Sequence, residues 1–217
     1  MKQEQTVVGV IGGSGLYQID GLADVREVEL STPFGPPSDA FVTGQLGNVR
    51  MVFLPRHGRG HRISPSEINF RANIWGLKRL GVTRIVSVSA VGSMREDVKP
   101  GDFVVIDQFF DRTRHRVDSF FGEGCVAHVM FADPVCREVR RALLAAGQEL
   151  RIAVRDGGTY MNMEGPQFST LAESRREAIV ASRGRPAQPW IGSTASSSEP
   201  AWSGSRWLES LPRPGAR

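Results

Sequence analysis

Apolar residues fall along the chain in two rhythms, and each rhythm predicts an element. Val7 to Ile11 is an unbroken apolar run of the kind a buried strand needs, and Gly12, Gly13, Ser14 and Gly15 follow at once. In "DAFVTGQLGNVRMVFLPRHG" two apolar runs meet at Gly47 and Asn48, which predicts a strand pair whose second member ends on Arg56 and His57. The rhythm then becomes helical. "SPSEINFRANIWGLKRLG" offers Ser64 as N-cap, Pro65 in first position, Glu67 to complete a capping box and Gly81 as stop, with Phe70, Ile74, Leu77 and Leu80 on one face. A strand follows from about Arg84 to Ser89, then another in "GDFVVIDQFFD". Strand, helix and strand in this order predict a crossover unit.

Residues 111–124 are polar with scattered aromatics and read as a long loop. "DPVCREVRRALLAAG" predicts a second helix, with Asp133 as cap, Pro134 in first position, Gly147 as stop, and Val135, Val139, Ala142, Leu143 and Ala146 facing inward. "RIAVRDGGTYMNMEG" predicts two strands around Gly157 and Gly158. The architecture expected is mixed α/β.

After Arg176 both rhythms stop. The last 41 residues hold eight Ser, five Pro and three of the four Trp, with no Lys, Asp, Phe, Tyr, Met or His, a composition that predicts no packed element. A linker is rarely this rich in Trp, whereas a slipped reading frame in GC-rich coding DNA yields Arg, Pro, Ala, Gly, Ser and Trp. Two parts are therefore expected, an ordered domain over 1–175 and a disordered or frame-shifted tail over 176–217.

Composition narrows the function classes. At 217 residues with 40% hydrophobic and 23% charged, the chain is long enough to bury a core. The net charge of +4 comes from basic residues interleaved with Asp and Glu, so no nucleic-acid stripe forms and a small anion is the better partner. Cys125 and Cys136 lack metal-ligand spacing and cannot build a disulfide framework, which favours a reducing compartment, the cytoplasm. No apolar run approaches the roughly 20 residues of a membrane span, and "MKQEQT" has no apolar leader core.

Four stretches could carry chemistry. "IGGSG", placed after a strand, offers backbone amides to an anion, but it lacks the Lys of a Walker loop and the third Gly of a dinucleotide fingerprint, so a plain tight turn remains open. "PRHGRGH" sets Arg56 and His57 at a strand end with Arg59 and His61 behind. The guanidinium fork suits phosphate oxygens and the neighbouring His can add a donor, while a solvated basic loop is the bland alternative. Zinc at His57 and His61 is disfavoured, because Gly58 and Gly60 spoil helical presentation and no Glu accompanies them. "SVSAVGS" brings Ser87, Ser89 and Ser93 to a strand end, where ligand donors and simple packing residues are both common, and it supplies no nucleophile elbow. "MNMEGPQFST" places Glu164, Phe168 and Ser169 together: an aromatic to stack on a flat base with a carboxylate or hydroxyl to read its edge, or a buried core ring.

Taken in order, "GVIGGSGL", "TPFGPPSDA", "LPRHGRGH", "INFRANIWGLK", "SAVGSMRE", "GDFVVIDQFFDRT" and "EGPQFSTLAES" closely resemble the purine nucleoside phosphorylase family, over residues 7–175. The resemblance implies a three-layer αβα fold around a central mixed sheet, its C-terminal part missing or replaced here. It also implies attack by inorganic phosphate on the anomeric carbon of a purine nucleoside, with phosphate as co-substrate, no cofactor, no metal and no enzyme nucleophile. By motif, Ser14, Arg56, His57, Ser89 and Ala90 match phosphate-holding positions. Phe168 matches the aromatic on the purine, Ser169 a hydroxyl beside it, and His128 a residue that reaches a neighbouring subunit's pocket, which implies a homotrimer. Gly92 and Ser93, with "QFST", favour the methylthioadenosine-cleaving branch over the 6-oxopurine branch. The family's purine-reading acidic strand finds no match after Arg176, so little or no turnover from a marginally folded chain is the further expectation, with a catalytically dead phosphate-binding subunit or a non-folding fragment as the alternatives.

Overall fold

The computed structural model describes residues 6–13, 19–165 and 167–175, and the backbone of 189–190. Its centre is a five-stranded mixed sheet in the order β2-β3-β4-β1-β5, built from β1 (Val7–Gly12), β2 (Leu22–Val28), β3 (Phe41–Leu46), β4 (Val49–Pro55) and β5 (Arg84–Ser87). Strands β4, β1 and β5 run parallel, and β2 and β3 extend the sheet antiparallel. The predicted strand pair is the β3–β4 hairpin, turned by Gly47 in the left-handed region at φ 58°. β2 has no counterpart among the predicted strands. A bulge between Ala23 and Arg26, with Asp24 at φ 51°, breaks the alternation that would have betrayed it.

The first predicted helix is in fact two segments. Glu67 accepts the Ser64 N–H at 3.0 Å, as a capping box requires, but it closes only a 3-10 turn over Pro65–Glu67. Ile68 is extended, and Asn69 caps α1 (Phe70–Arg79) by accepting the Ala72 N–H at 3.1 Å. Leu77 is fully buried with Val7, Phe41, Val52, Leu54 and Val82, and Ile74 and Leu80 pack on that cluster. Trp75 is buried as well. The approach of helix to sheet is close enough that a Cβ on Gly76 would lie 2.3 Å from the Phe41 ring.

The apolar run after residue 102 is two strands. β6 (Phe103–Val105) pairs in parallel with β8 (Val154–Asp156), and β7 (Gln108–Asp111) with β9 (Thr159–Asn162), so the two glycines join strands that never pair with each other. The break falls where the Asp107 carboxylate accepts the Gly158 N–H at 2.9 Å. A second core of Val98, Val104, Ile106 and Val135 lies here, with Tyr160 against it.

The second predicted helix begins later and ends later. α2 spans Arg137–Glu149 with Cys136 at the cap; Pro134 to Cys136 stay buried, and Asp133 pairs with Arg137 at 2.7 Å instead of capping. Val135 is buried in the second core, and Cys136 at the cap is extended. Gly147 does not stop the helix: it lies inside, where its missing side chain admits Val154, and the turn out comes at Arg151, φ 55°. Val139 and Leu143 face inward as expected, while Ala142 and Ala146 are exposed. Backbone at Pro189–Trp190 adds a two-residue parallel strand, β10, beside β9. The rest of 176–217, and with it the expected tail, lies outside the described residues. No helix among the described residues is long and apolar enough to cross a membrane.

Candidate functional site

Parallel pairing brings three strand ends to one rim. Gly12 aligns with Pro55 and Ile11 with Ser87, and the pairing runs on past the strands: Arg56 N–H donates to Gly12 O at 3.0 Å and Val88 N–H to Ile11 O at 2.8 Å. The glycine loop, the Arg56 to His57 corner and the "SVSA" stretch thus leave the sheet side by side. In open α/β sheets this carboxyl-end rim is where ligands bind.

Arg56 is half-buried, and its guanidinium is fixed by its own neighbours. Nε donates to His57 Nε2 at 3.1 Å and Nη1 to Val88 O at 3.0 Å. No carboxylate among the described residues pairs with it, and burial lowers its pKa against a smaller opposing electrostatic effect of Tyr160. A cation taken partly out of water without a counter-charge is costly unless an anion completes the site. His57 is buried, with Nδ1 2.9 Å from Ile63 O. Desolvation, then electrostatic repulsion from the side of Arg56, His61 and Arg116, push its pKa below the usual 6.5 against the pull of the Ile63 carbonyl. The His57 and His61 rings are stacked, centroids 4.3 Å apart. No group of three His, Cys, Asp or Glu among the described residues is arranged to hold a metal.

A second cluster lies around Glu164. Its carboxylate accepts the Arg114 N–H at 2.5 Å, the His115 N–H at 3.2 Å, Arg116 Nε at 3.2 Å and Ser66 Oγ at 3.2 Å. These donors, the backbone ones first, hold its pKa down at about 2. Arg116 also donates to the carbonyls of Met163 and Glu164 and lies over the Phe70 ring. An open cavity of about 350 Å³ forms beside this network, lined by Arg112, Met163, Glu164, Phe168, Ser169 and Glu173 among others.

The sequence-predicted residues therefore divide. Arg56, His57 and Ser89 gather on the rim, with Ala90 exposed just beyond it. Ser14 lies outside the described residues. Phe168 and Ser169 line the second cavity, where Phe168 is 85% exposed rather than a core ring, and Ser169 Oγ is 2.7 Å from Ser174 Oγ. His128 is exposed. Two residues absent from the sequence reading link the clusters electrostatically: Arg116 bonds Glu164 and bears on His57, and Tyr160, its pKa raised by burial, is under the influence of both Arg56 and Arg116. Neither sits in a motif; Arg116 comes from an aperiodic loop.

The sequence profile of the Phosphorylase superfamily matches residues 7–185. This chain belongs to the phosphorylase superfamily. Its curated superfamily relatives include the S-methyl-5'-thioadenosine phosphorylase of Geobacter sulfurreducens, 64% identical over 171 residues, which are 78% of this chain and 60% of that one. The enzyme of the same name from Koribacter versatilis is 58% identical over 170 residues, 78% of this chain and 58% of that one. The chain thus spans about 60% of the length of these relatives. Among solved superfamily structures, a methylthioadenosine phosphorylase from an Antarctic soil metagenomic library superposes with TM-score 0.80 at 49% identity, covering 88% of this chain and 66% of that one. The methylthioadenosine phosphorylase from Schistosoma mansoni in complex with adenine gives 0.77 at 37% identity, covering 88% and 74%.

Proposed function

We propose that the chain carries the phosphate-holding half of an S-methyl-5'-thioadenosine phosphorylase site, for the reaction that yields adenine and 5-methylthioribose 1-phosphate. The observation that carries this reading is Arg56: a half-buried guanidinium at the carboxyl ends of three parallel strands, with no carboxylate among the described residues to neutralise it. The names borne by the relatives supply the nucleoside. In the proposed step a phosphate oxygen bonds to the anomeric carbon while the glycosidic bond breaks, its electron pair leaving on the purine, which takes up a proton. Positioning and fixed dipoles dominate such a reaction, so neither an enzyme nucleophile nor a cofactor is required.

Ser14, Ser89 and Ala90 complete the phosphate cradle, and Phe168, in the cavity beside Glu164, stacks on the base. His128 sits in a segment whose Val126, Val129, Met130 and Phe131 are all exposed, which supports a homotrimer in which it serves a neighbour's pocket. The chain's two cysteines, Cys125 and Cys136, are too few for a disulfide framework, which supports a cytoplasmic setting. A second reading, phosphate binding without base release, is favoured by the 85% exposure of Phe168, the aromatic that would stack on the base, in an open cavity. Following adenine release from methylthioadenosine and phosphate by the full chain decides between them. Phosphate-dependent release that is lost in Arg56→Ala supports the first reading, and a phosphate-dependent rise in Tm without release supports the second.

A further inference from the structure

We propose that Arg116 is a positioning residue: its guanidinium clamps the exit of β9 and thereby aims the segment that carries Phe168 at the purine. The inference rests on the reading in which Phe168 stacks on the base, and it starts from two carbonyls that the sheet leaves behind. The β7–β9 ladder closes with the Arg112 N–H donated to Asn162 O at 2.9 Å. Beyond that bond the chain leaves the sheet, and a backbone C=O turned away from water is costly unless some other donor reaches it. Arg116 is that donor. Its Nη2 donates to Met163 O at 3.1 Å and to Glu164 O at 2.9 Å, while Nε donates to Glu164 Oε1 at 3.2 Å. One planar fork thus holds two successive carbonyls and the carboxylate between them, which an ammonium on a flexible stem cannot do.

The clamp is itself held. The Arg116 side chain is only 11% exposed, and its guanidinium carbon lies 5.4 Å from the centroid of the Phe70 ring, at the start of α1. The Glu164 carboxylate also gathers the Arg114 and His115 N–H groups, so loop and strand exit bind each other from both sides. Directly afterwards Gly165, at φ 69°, turns the chain against Pro65, where a Cβ would lie 3.2 Å from the proline Cγ. Phe168 follows three residues later, and at 85% exposure its ring is not held by packing. Its direction is inherited from the backbone behind it, and Arg116 is where that backbone is fixed.

Calorimetric titration of adenine, and separately of inorganic phosphate, into the full chain and into Arg116→Lys, Phe168→Ala and the double variant tests the role. Arg116→Lys keeps the charge and loses the fork, so adenine affinity is expected to fall about tenfold or more while phosphate affinity is retained. In the Phe168→Ala background the same substitution is expected to cost nothing further, because Arg116 acts through the ring. An undiminished cost there, an equal loss of phosphate affinity, or unchanged adenine affinity in Arg116→Lys overturns the proposal. Failure of the stacking reading shows differently: a wild-type chain that does not take adenine, or takes it equally well without the Phe168 ring, sinks that reading and the role built on it. If Arg116→Lys does not fold, a measurement on the wild type decides. Nitrogen-15 spectra of the arginine side chains are expected to show separate Nη signals for Arg116, the mark of hindered rotation, whereas averaged signals mean a free guanidinium and contradict the clamp.

Discussion

Two buried polar contacts fix where the site's supports sit, and each makes a residue-scale prediction. Asn73 and Ser38 are both buried and satisfy one another twice: Ser38 N–H donates to Asn73 Oδ1 at 2.8 Å, and Asn73 Nδ2 donates to Ser38 Oγ at 2.9 Å. Asn73→Leu strands the Ser38 N–H in the interior and is expected to cost about 1 to 3 kcal/mol, read from urea unfolding. His57 makes the complementary prediction in pH. Its folded pKa lies below the unfolded 6.5, so between those two values the unfolded chain binds the extra proton and the folded chain resists it. Stability is unaffected by His57 above about 6.5 and falls as the pH drops below it. In His57→Gln that part of the acid loss is expected to vanish from a series of melts at falling pH.

At the scale of elements, the Glu164 carboxylate couples three segments: the 112–116 loop, the strand exit at 163–165, and the turn that carries Ser66. Its folded pKa of about 2 against an ordinary 4.5 means the coupling is complete above 4.5 and is lost as the pH falls from there toward 2. Glu164→Gln keeps the size but weakens the acceptor, and is expected to speed hydrogen exchange at the Arg114 and His115 amides while leaving the β1 and β4 amides unchanged. Asn69 does similar work for α1: it caps the helix and donates to Phe34 O at 2.6 Å, so Asn69→Ala is expected to cost about 1 kcal/mol or more. Elements were legible where the signal was local. The "GN" turn needed only a hairpin partner next door, and it formed as read. They were illegible where a distant strand decided. The break at Asp107 exists because Gly158, 51 residues away, donates to its carboxylate. The Asp133 and Pro134 cap signal failed because Val135 is buried in the second core and the backbone turns helical only after the extended Cys136.

For the molecule as a whole, parallel pairing explains why much of the candidate site could be read from sequence. Arg56, His57 and Ser89 each follow an apolar strand, and once β4, β1 and β5 run in register, whatever leaves their ends must meet. The links between that rim and the Phe168 cavity were not readable, because Arg116 and Tyr160 acquire their roles only when loop, β7 and β9 are packed together. Exposed Val126, Val129, Met130 and Phe131 belong to this scale too: light scattering is expected to give a trimer mass, reduced to the monomer in a Met130→Asp, Phe131→Asp variant. The central claim is that the rim holds phosphate through Arg56. Calorimetric titration of inorganic phosphate into the full chain and into Arg56→Ala tests it most directly. Saturable binding by the wild type that is lost in the variant is the predicted result; equal binding by both, or none by the wild type while its melting stays cooperative, would contradict it.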